Sequence, residues 1–202
     1  MKRNKRFSAV VRGALAASLL LTLVMLSDGP ARADDTIERP GDHPAYSVEI
    51  EPHLLIGWGG WGNFYGNSGW GTGVRFGIPI VSNGFIPTIN NSVAISFGLD
   101  IVHYDCWYRN GNCDANYLDF PVTLQWNFYV AQHWSVFGEP GLFVYHGFLQ
   151  DCPPGSNCGP RPSDTGVWPA FFVGGRYHFS NTTALTMRLG FPTFSLGFSF
   201  MP

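Results

Sequence analysis

Tyr46-Ser47-Val48-Glu49-Ile50-Glu51-Pro52-His53-Leu54-Leu55-Ile56-Gly57-Trp58 changes character from one residue to the next. Tyr46, Val48, Ile50, Leu54, Ile56 and Trp58 fall on one face. Ser47, Glu49, Glu51, His53 and Gly57 fall on the other. Successive side chains leave opposite faces of a pleated strand, so period two marks a β-strand with one apolar side. The stretch predicts a strand over residues 45–58.

Seven further segments repeat the pattern. Trp70, Thr72, Val74, Phe76, Ile78 and Ile80 oppose Gly71, Gly73, Arg75 and Gly77. Val93, Ile95, Phe97, Leu99 and Ile101 oppose Ala94, Ser96, Gly98 and Asp100. Leu118 to Phe128 sets Asp119, Thr123, Gln125 and Asn127 on its polar side. The segment from Trp134 to His146 fits least well, because Phe137, Phe143 and Tyr145 share a face with Glu139. Three shorter strands follow, around Phe171–Tyr177, Leu185–Leu189 and Phe194–Phe200, with Arg176 and Arg188 on their polar faces. Eight such strands with turns between them predict an all-β, eight-stranded antiparallel up-and-down barrel.

Volume decides which face points outward. The interior of an eight-stranded barrel is only wide enough for side chains to fill or for one small ligand. The apolar faces, rich in Trp, Phe, Ile and Leu, would overfill it, whereas Gly, Ser, Thr and Ala suit a narrow lumen. The apolar face is therefore expected outside, and a closed barrel of that kind can span a bilayer. Glu49, Glu51, Asp100, Asp119 and Glu139 then share the lumen with Arg75, Arg176 and Arg188. Unpaired buried charge is costly. Five acids cannot pair one to one with three arginines, so some are expected to be protonated, solvated or to share a partner. Trp58, Trp61, Phe64, Tyr65, Trp70, Tyr104, Trp107 and Trp168 are expected to gather at one interface. Trp126, Phe128, Tyr129, Trp134, Tyr177 and Phe179 are expected at the other, as two aromatic girdles.

The N-terminal 33 residues read as a cleaved secretory signal peptide. Lys2, Arg3, Lys5, Arg6 and Arg12 precede an apolar run, Gly13 to Leu26, and Ala31-Arg32-Ala33 has the form of a cleavage site. The run is shorter than the ~20 residues a spanning helix needs. Residues 34–44 are a polar, proline-bearing lead-in, and residues 45–202 make the barrel. Without residues 1–33 the chain has six arginines, no lysine and 13 acids, a net charge of −7. That balance argues against nucleic-acid binding. Four cysteines form two close pairs, Cys106 with Cys113 and Cys152 with Cys158. In an exported chain two local disulfides are expected, bracing loops over about 105–115 and 148–166. No CxxC spacing occurs, and neither a metal nor a cofactor is expected.

The connections after strands 1, 3 and 5 are long or hold cysteines, and those after strands 4 and 6 are short. Outer-membrane barrels have short periplasmic turns and longer outer loops. With these features the chain resembles small bacterial outer-membrane barrels of the OmpA/OmpX type over residues 45–200. Ser195-Leu196-Gly197-Phe198-Ser199-Phe200 resembles that family's C-terminal assembly signal, although Met201-Pro202 follow where the family usually ends on an aromatic. The resemblance implies a monomer in the bacterial outer membrane, surrounded by its lipid and inserted by the barrel-assembly machinery.

Architecture does not fix activity. A non-enzymatic barrel is expected, structural or presenting disulfide-braced outer loops to an extracellular ligand. A narrow pore for small cations or solutes is the first alternative, since luminal glycines leave space and acids are in excess. A lipid-modifying enzyme of the deacylase or acyltransferase kind is the second. His103 and His146 lie at outer strand ends and Asp105 is near His103, but no serine stands at a motif spacing.

Overall fold

The computed structural model describes residues 35–58, 68–108, 111–149, 164–190 and 193–202, with side chains left aside at 35, 105–108, 111–115, 149 and 164. The signal segment lies outside these residues, as do Trp61, Phe64, Tyr65, Cys152 and Cys158. Eight strands follow one 3-10 turn at Asp35–Glu38. They are β1 (Glu49–Trp58), β2 (Ser68–Val81), β3 (Asn91–Tyr108), β4 (Gly111–Ala131), β5 (Trp134–Leu149), β6 (Asp164–His178), β7 (Thr183–Gly190) and β8 (Thr193–Phe200). Each pairs antiparallel with its neighbour in sequence, and β8 returns to pair with β1, closing an up-and-down barrel. Closure matters because it leaves no ring of unpaired backbone groups along the wall.

The alternation read from sequence becomes an inside and an outside. Along β1 buried and exposed residues alternate without a break from Glu49 to Trp58. Leu54 is 70% exposed, Trp70 68% and Phe171 63%. Isoleucine, valine, leucine and phenylalanine continue this surface around the barrel. Soluble monomers rarely expose contiguous apolar patches larger than a few hundred Å². Here the apolar surface is the wall itself.

Strand lengths are uneven. β7 and β8 each span 8 residues, whereas β3 spans 18 and β4 spans 21. Backbone pairing between β3 and β4 continues through Cys106↔Cys113 to Tyr108↔Gly111. The stretch 105–115, expected as a loop, is mostly a hairpin extension, and β6 begins at Asp164 rather than near Ala170. The sequence hid this because Asp105, Arg109-Asn110-Gly111-Asn112 and Asp114 carry no apolar alternation. β1 differs in the other direction, starting at Glu49 and not at 45. Its pairing with β2 begins at Glu49↔Gly77, and upstream of that Ser47 N–H still bonds to Pro202 O before the chain turns across the barrel end.

Candidate functional site: the lumen and its two ends

The end of the barrel that holds Glu49, Arg176 and the C-terminus is called the terminal end below, and the other the far end. In the terminal half, Arg188 of β7 ties together acids from β1 and β5. Its Nη1 donates to Glu51 Oε1 at 2.6 Å and its Nη2 to Glu51 Oε2 at 3.1 Å. Its Nε donates to Glu139 Oε2 at 2.9 Å, and Nη2 also reaches Glu139 Oε1 at 3.1 Å. Gln125 Nε2 donates to the same Glu139 oxygen at 2.7 Å. One guanidinium thus serves two carboxylates, a use of its planar fork that lysine could not reproduce.

Arg176 of β6 pairs with Glu49 at 2.6 Å and donates to Asn127 Oδ1 at 3.2 Å and Thr186 Oγ1 at 3.3 Å. Thr186 in turn shares a hydrogen bond with Ser199. The Phe137 ring lies between the two arginines, 5.0 Å from the Arg176 Cζ and 5.2 Å from that of Arg188. Cation–π attraction explains why an aromatic residue sits among charges, the feature that made the fifth strand irregular in sequence.

Higher up, Arg75 Nη2 donates to Asp100 Oδ2 at 2.8 Å and His53 Nε2 donates to Asp100 Oδ1 at 3.0 Å. Asp119 stands opposite Asp100 in the β3–β4 register. It is the acid of the five without an ion pair among the described residues, and its Oδ1 is buried with no hydrogen-bond partner. Among the described residues no group of three His, Cys, Asp or Glu is placed to hold a metal ion.

The far half of the lumen is apolar. Leu55, Val102, Tyr104, Tyr117, Phe143, Tyr145, Ala170 and Phe172 form one buried cluster. Tyr104 and Tyr117 meet edge to face at 5.7 Å. Tyr104 and Tyr129 were expected in the exterior girdles, but both are buried inside, at 3% and 5% exposure. Their inward strand parity overrides the bilayer preference of the aromatic ring. Several inward glycines are covered by neighbouring rings. A side chain at Gly57 or Gly69 would meet the Tyr104 ring, and one at Gly190 the Phe172 ring. The sequence reading set His53 on the inward face but passed over Leu55, Val102, Tyr117 and Phe172 as lumen residues, although strand parity alone would have placed them there.

Gly174 shows how tight this filling is. A Cβ there would strike Phe137 Cζ and the backbone oxygen of Met187. Gly174→Ala is expected to displace Phe137 from between its arginines and to destabilise the barrel by about 1–3 kcal/mol, the range for overpacking. Urea unfolding of the refolded variant, followed by tryptophan fluorescence, checks this.

The terminal end is capped by chain. Residues 35–46 run across it beside the β2–β3 connection, residues 82–90. Asn90 N donates to Ile37 O at 2.7 Å and Asn90 Nδ2 to Asp42 O at 2.7 Å. His43 Nε2 donates to Ser82 O at 2.8 Å, while its ring meets Tyr129 edge to face at 4.5 Å. Asn91 Nδ2 lies within hydrogen-bond reach of Asn83 O, Ile86 O and Ile89 O, and Asn91 Oδ1 accepts from Trp126 Nε1 at 2.9 Å. Met201 is buried at 2% exposure, its N–H donating to Thr182 O.

Among the described residues His103 and His146 meet polar partners and no nucleophile–base–acid set. His103 Nδ1 donates to Asn116 Oδ1 at 2.9 Å and His146 Nδ1 hydrogen-bonds Thr165 Oγ1. The Asp105 side chain lies outside the described residues. Ser135 Oγ does contact His178 Nε2 at 2.9 Å, but His178 Nδ1 has no partner. An acyl-transfer triad needs an acid at that nitrogen to orient the base.

A closed eight-stranded barrel, filled inside and apolar outside, has the architecture of the small outer-membrane barrels. Comparison with solved structures gives the same fold. The chain is similar to the outer membrane protein OprG from Pseudomonas aeruginosa, with TM-score 0.57 and 12% identity over 80% of this chain and 98% of that one. It is also similar to Neisserial surface protein A, with TM-score 0.50 and 13% identity over 77% of this chain and 96% of that one. Ail of Yersinia pestis matches with TM-score 0.48 and 14% identity, over 78% and 98% of the two chains. At these identities the likeness is one of fold. No family model matches the chain, and no curated protein matches it.

Proposed function

We propose that the chain is a non-enzymatic protein of the bacterial outer membrane, a monomeric barrel with a closed lumen that presents its far-end extension outside the cell. The observation that carries this reading is the pairing of an apolar wall with a lumen filled along its length. Charged side chains and Phe137 occupy the terminal half, and the apolar cluster occupies the far half. In this orientation both termini face the periplasm, and residues 1–33 are the cleaved export signal. The alternating Phe194, Leu196, Phe198 and Phe200 of β8 suit recognition by the assembly machinery.

The extension supports recognition over mere membrane bracing. β3, β4 and β5 run on where β7 and β8 have ended, and the backbone register sets Cys106 opposite Cys113. A disulfide there would hold the hairpin tip in one shape and lower the entropic cost of binding a partner. Cys152 and Cys158 would brace the neighbouring connection in the same way.

Two results test the proposal. The purified barrel in a planar bilayer is expected to give a flat current trace, and unitary conductance steps would favour a pore. A variant with residues 105–115 replaced by an Asn-Gly turn is expected to insert normally. Cells bearing it should lose adherence to a panel of immobilised proteins and glycans. Unchanged adherence would count against recognition by this hairpin.

A further inference from the structure

The segment at residues 35–46 is more than a lead-in: Ile37, Asp42 and His43 all bond to the β2–β3 connection, and His43 is the one of these contacts that can titrate. His43 donates from Nε2 to the Ser82 carbonyl. That bond fixes the neutral tautomer with a bare Nδ1. Nδ1 is buried and has no hydrogen-bond partner. A proton added there would place a cationic N–H where no acceptor waits, which costs free energy even in a half-buried ring because that atom is shielded from solvent.

The surroundings do little to offset that cost. On the segment itself, Asp42 is the nearby acid, and it is exposed and paired with Arg39 at 3.7 Å. The β2–β3 connection offers no charge, since residues 82–90 contain no Asp, Glu, Lys or Arg. From β4 the Tyr129 ring packs on His43. Beyond it lies His178 of β6, its ring 6.1 Å from that of Tyr129. His133 in the β4–β5 turn donates to the His178 backbone oxygen. Arg176 stands one inward position along β6, paired with Glu49 of β1, and Tyr46 follows on the segment.

We propose that residues 35–46 form an acid-released strap across the periplasmic mouth, with His43 as its latch. Burial holds the docked imidazole below its ordinary value, against a smaller opposing pull from Asp42. The unlatched segment therefore binds a proton more readily than the docked one. Docking keeps its full strength above the ordinary imidazole value of about 6.5 and weakens as pH falls below it.

Hydrogen exchange read by mass spectrometry tests this on the whole folded chain in detergent micelles. Measurements at about pH 7.5 and about pH 5.5, corrected for intrinsic rates, bracket the imidazole value. The reporters are the amides of Arg39, Asp42 and Asn90, which donate to Thr36, Arg39 and Ile37. Their protection is expected to fall on acidification by up to about tenfold for each pH unit by which burial holds the imidazole down. Amides of the β7–β8 ladder should stay unchanged. His43→Gln, whose amide can still donate to Ser82 but does not titrate, should dock equally at both pH values. His43→Phe, which keeps the ring on Tyr129, is the second variant. Wild-type protection that is the same at both pH values overturns the proposal. So does an acid response that persists in a docked His43 variant. Loss of docking in both variants near neutrality supports His43 as the latch, with the wild-type response carrying the pH dependence.

Discussion

Arg188→Ala should cost the folded barrel about 3–5 kcal/mol, the range for removing one partner of a buried ion pair. The substitution strands two carboxylates at once, because Glu51 and Glu139 both rely on the same guanidinium. Both acids are at most 1% exposed, so water does not readily replace the lost partner. It also removes one face of the Phe137 stack and a brace joining β1, β5 and β7. Equilibrium urea unfolding of refolded protein in lipid vesicles measures the loss. Arg188→Met combined with Glu51→Gln and Glu139→Gln should recover much of it, since removing a whole buried charge cluster is often close to neutral. A loss below 1 kcal/mol in the single variant would mean that the lumen is wet enough to solvate the acids, contrary to the closed lumen we propose.

Leu54→Arg tests the outer face in the same way. Leu54 is 70% exposed, and its register partners Thr72 and Leu196 face outward beside it. An arginine at such a position is expected to destabilise the vesicle-embedded barrel by about 2–4 kcal/mol, the penalty for a charge on the lipid face near the bilayer midplane. In a water-soluble barrel the same exposed substitution would fall within about 0.5 kcal/mol of neutral. The two solvents therefore predict different outcomes, and a neutral result would argue for an exterior in water.

What the chain made legible follows from where its surroundings differ on the two faces. Along β1, lipid and a narrow lumen impose opposite demands on adjacent residues, and the alternation from Glu49 to Trp58 records them. The eight strands, their order and the inward set of charges all follow from that contrast. Phe137, Phe143 and Tyr145 blurred it on β5, because the filled lumen accepts rings, with Gly174 facing Phe137 and Gly166 facing Tyr145. Around Arg109-Asn110-Gly111-Asn112 the β3–β4 hairpin carries no apolar alternation, so its strands continue without a pattern to mark them. Which acid each arginine takes was not legible at all. The pairing of Arg188 with Glu51, 137 residues away, depends on barrel closure and not on local sequence. The role of His43 was equally hidden, since a lone histidine in a polar lead-in carries no sign of the carbonyl and the ring that meet it.

Electrophoretic mobility of the refolded chain in dodecyl sulfate, unheated against boiled, tests the central claim most directly. A closed barrel with an apolar wall resists the detergent until heated. Two different mobilities, converging only on boiling, are the expected result. A single mobility with and without boiling, from protein that stays soluble when detergent is removed, would contradict a membrane-spanning barrel.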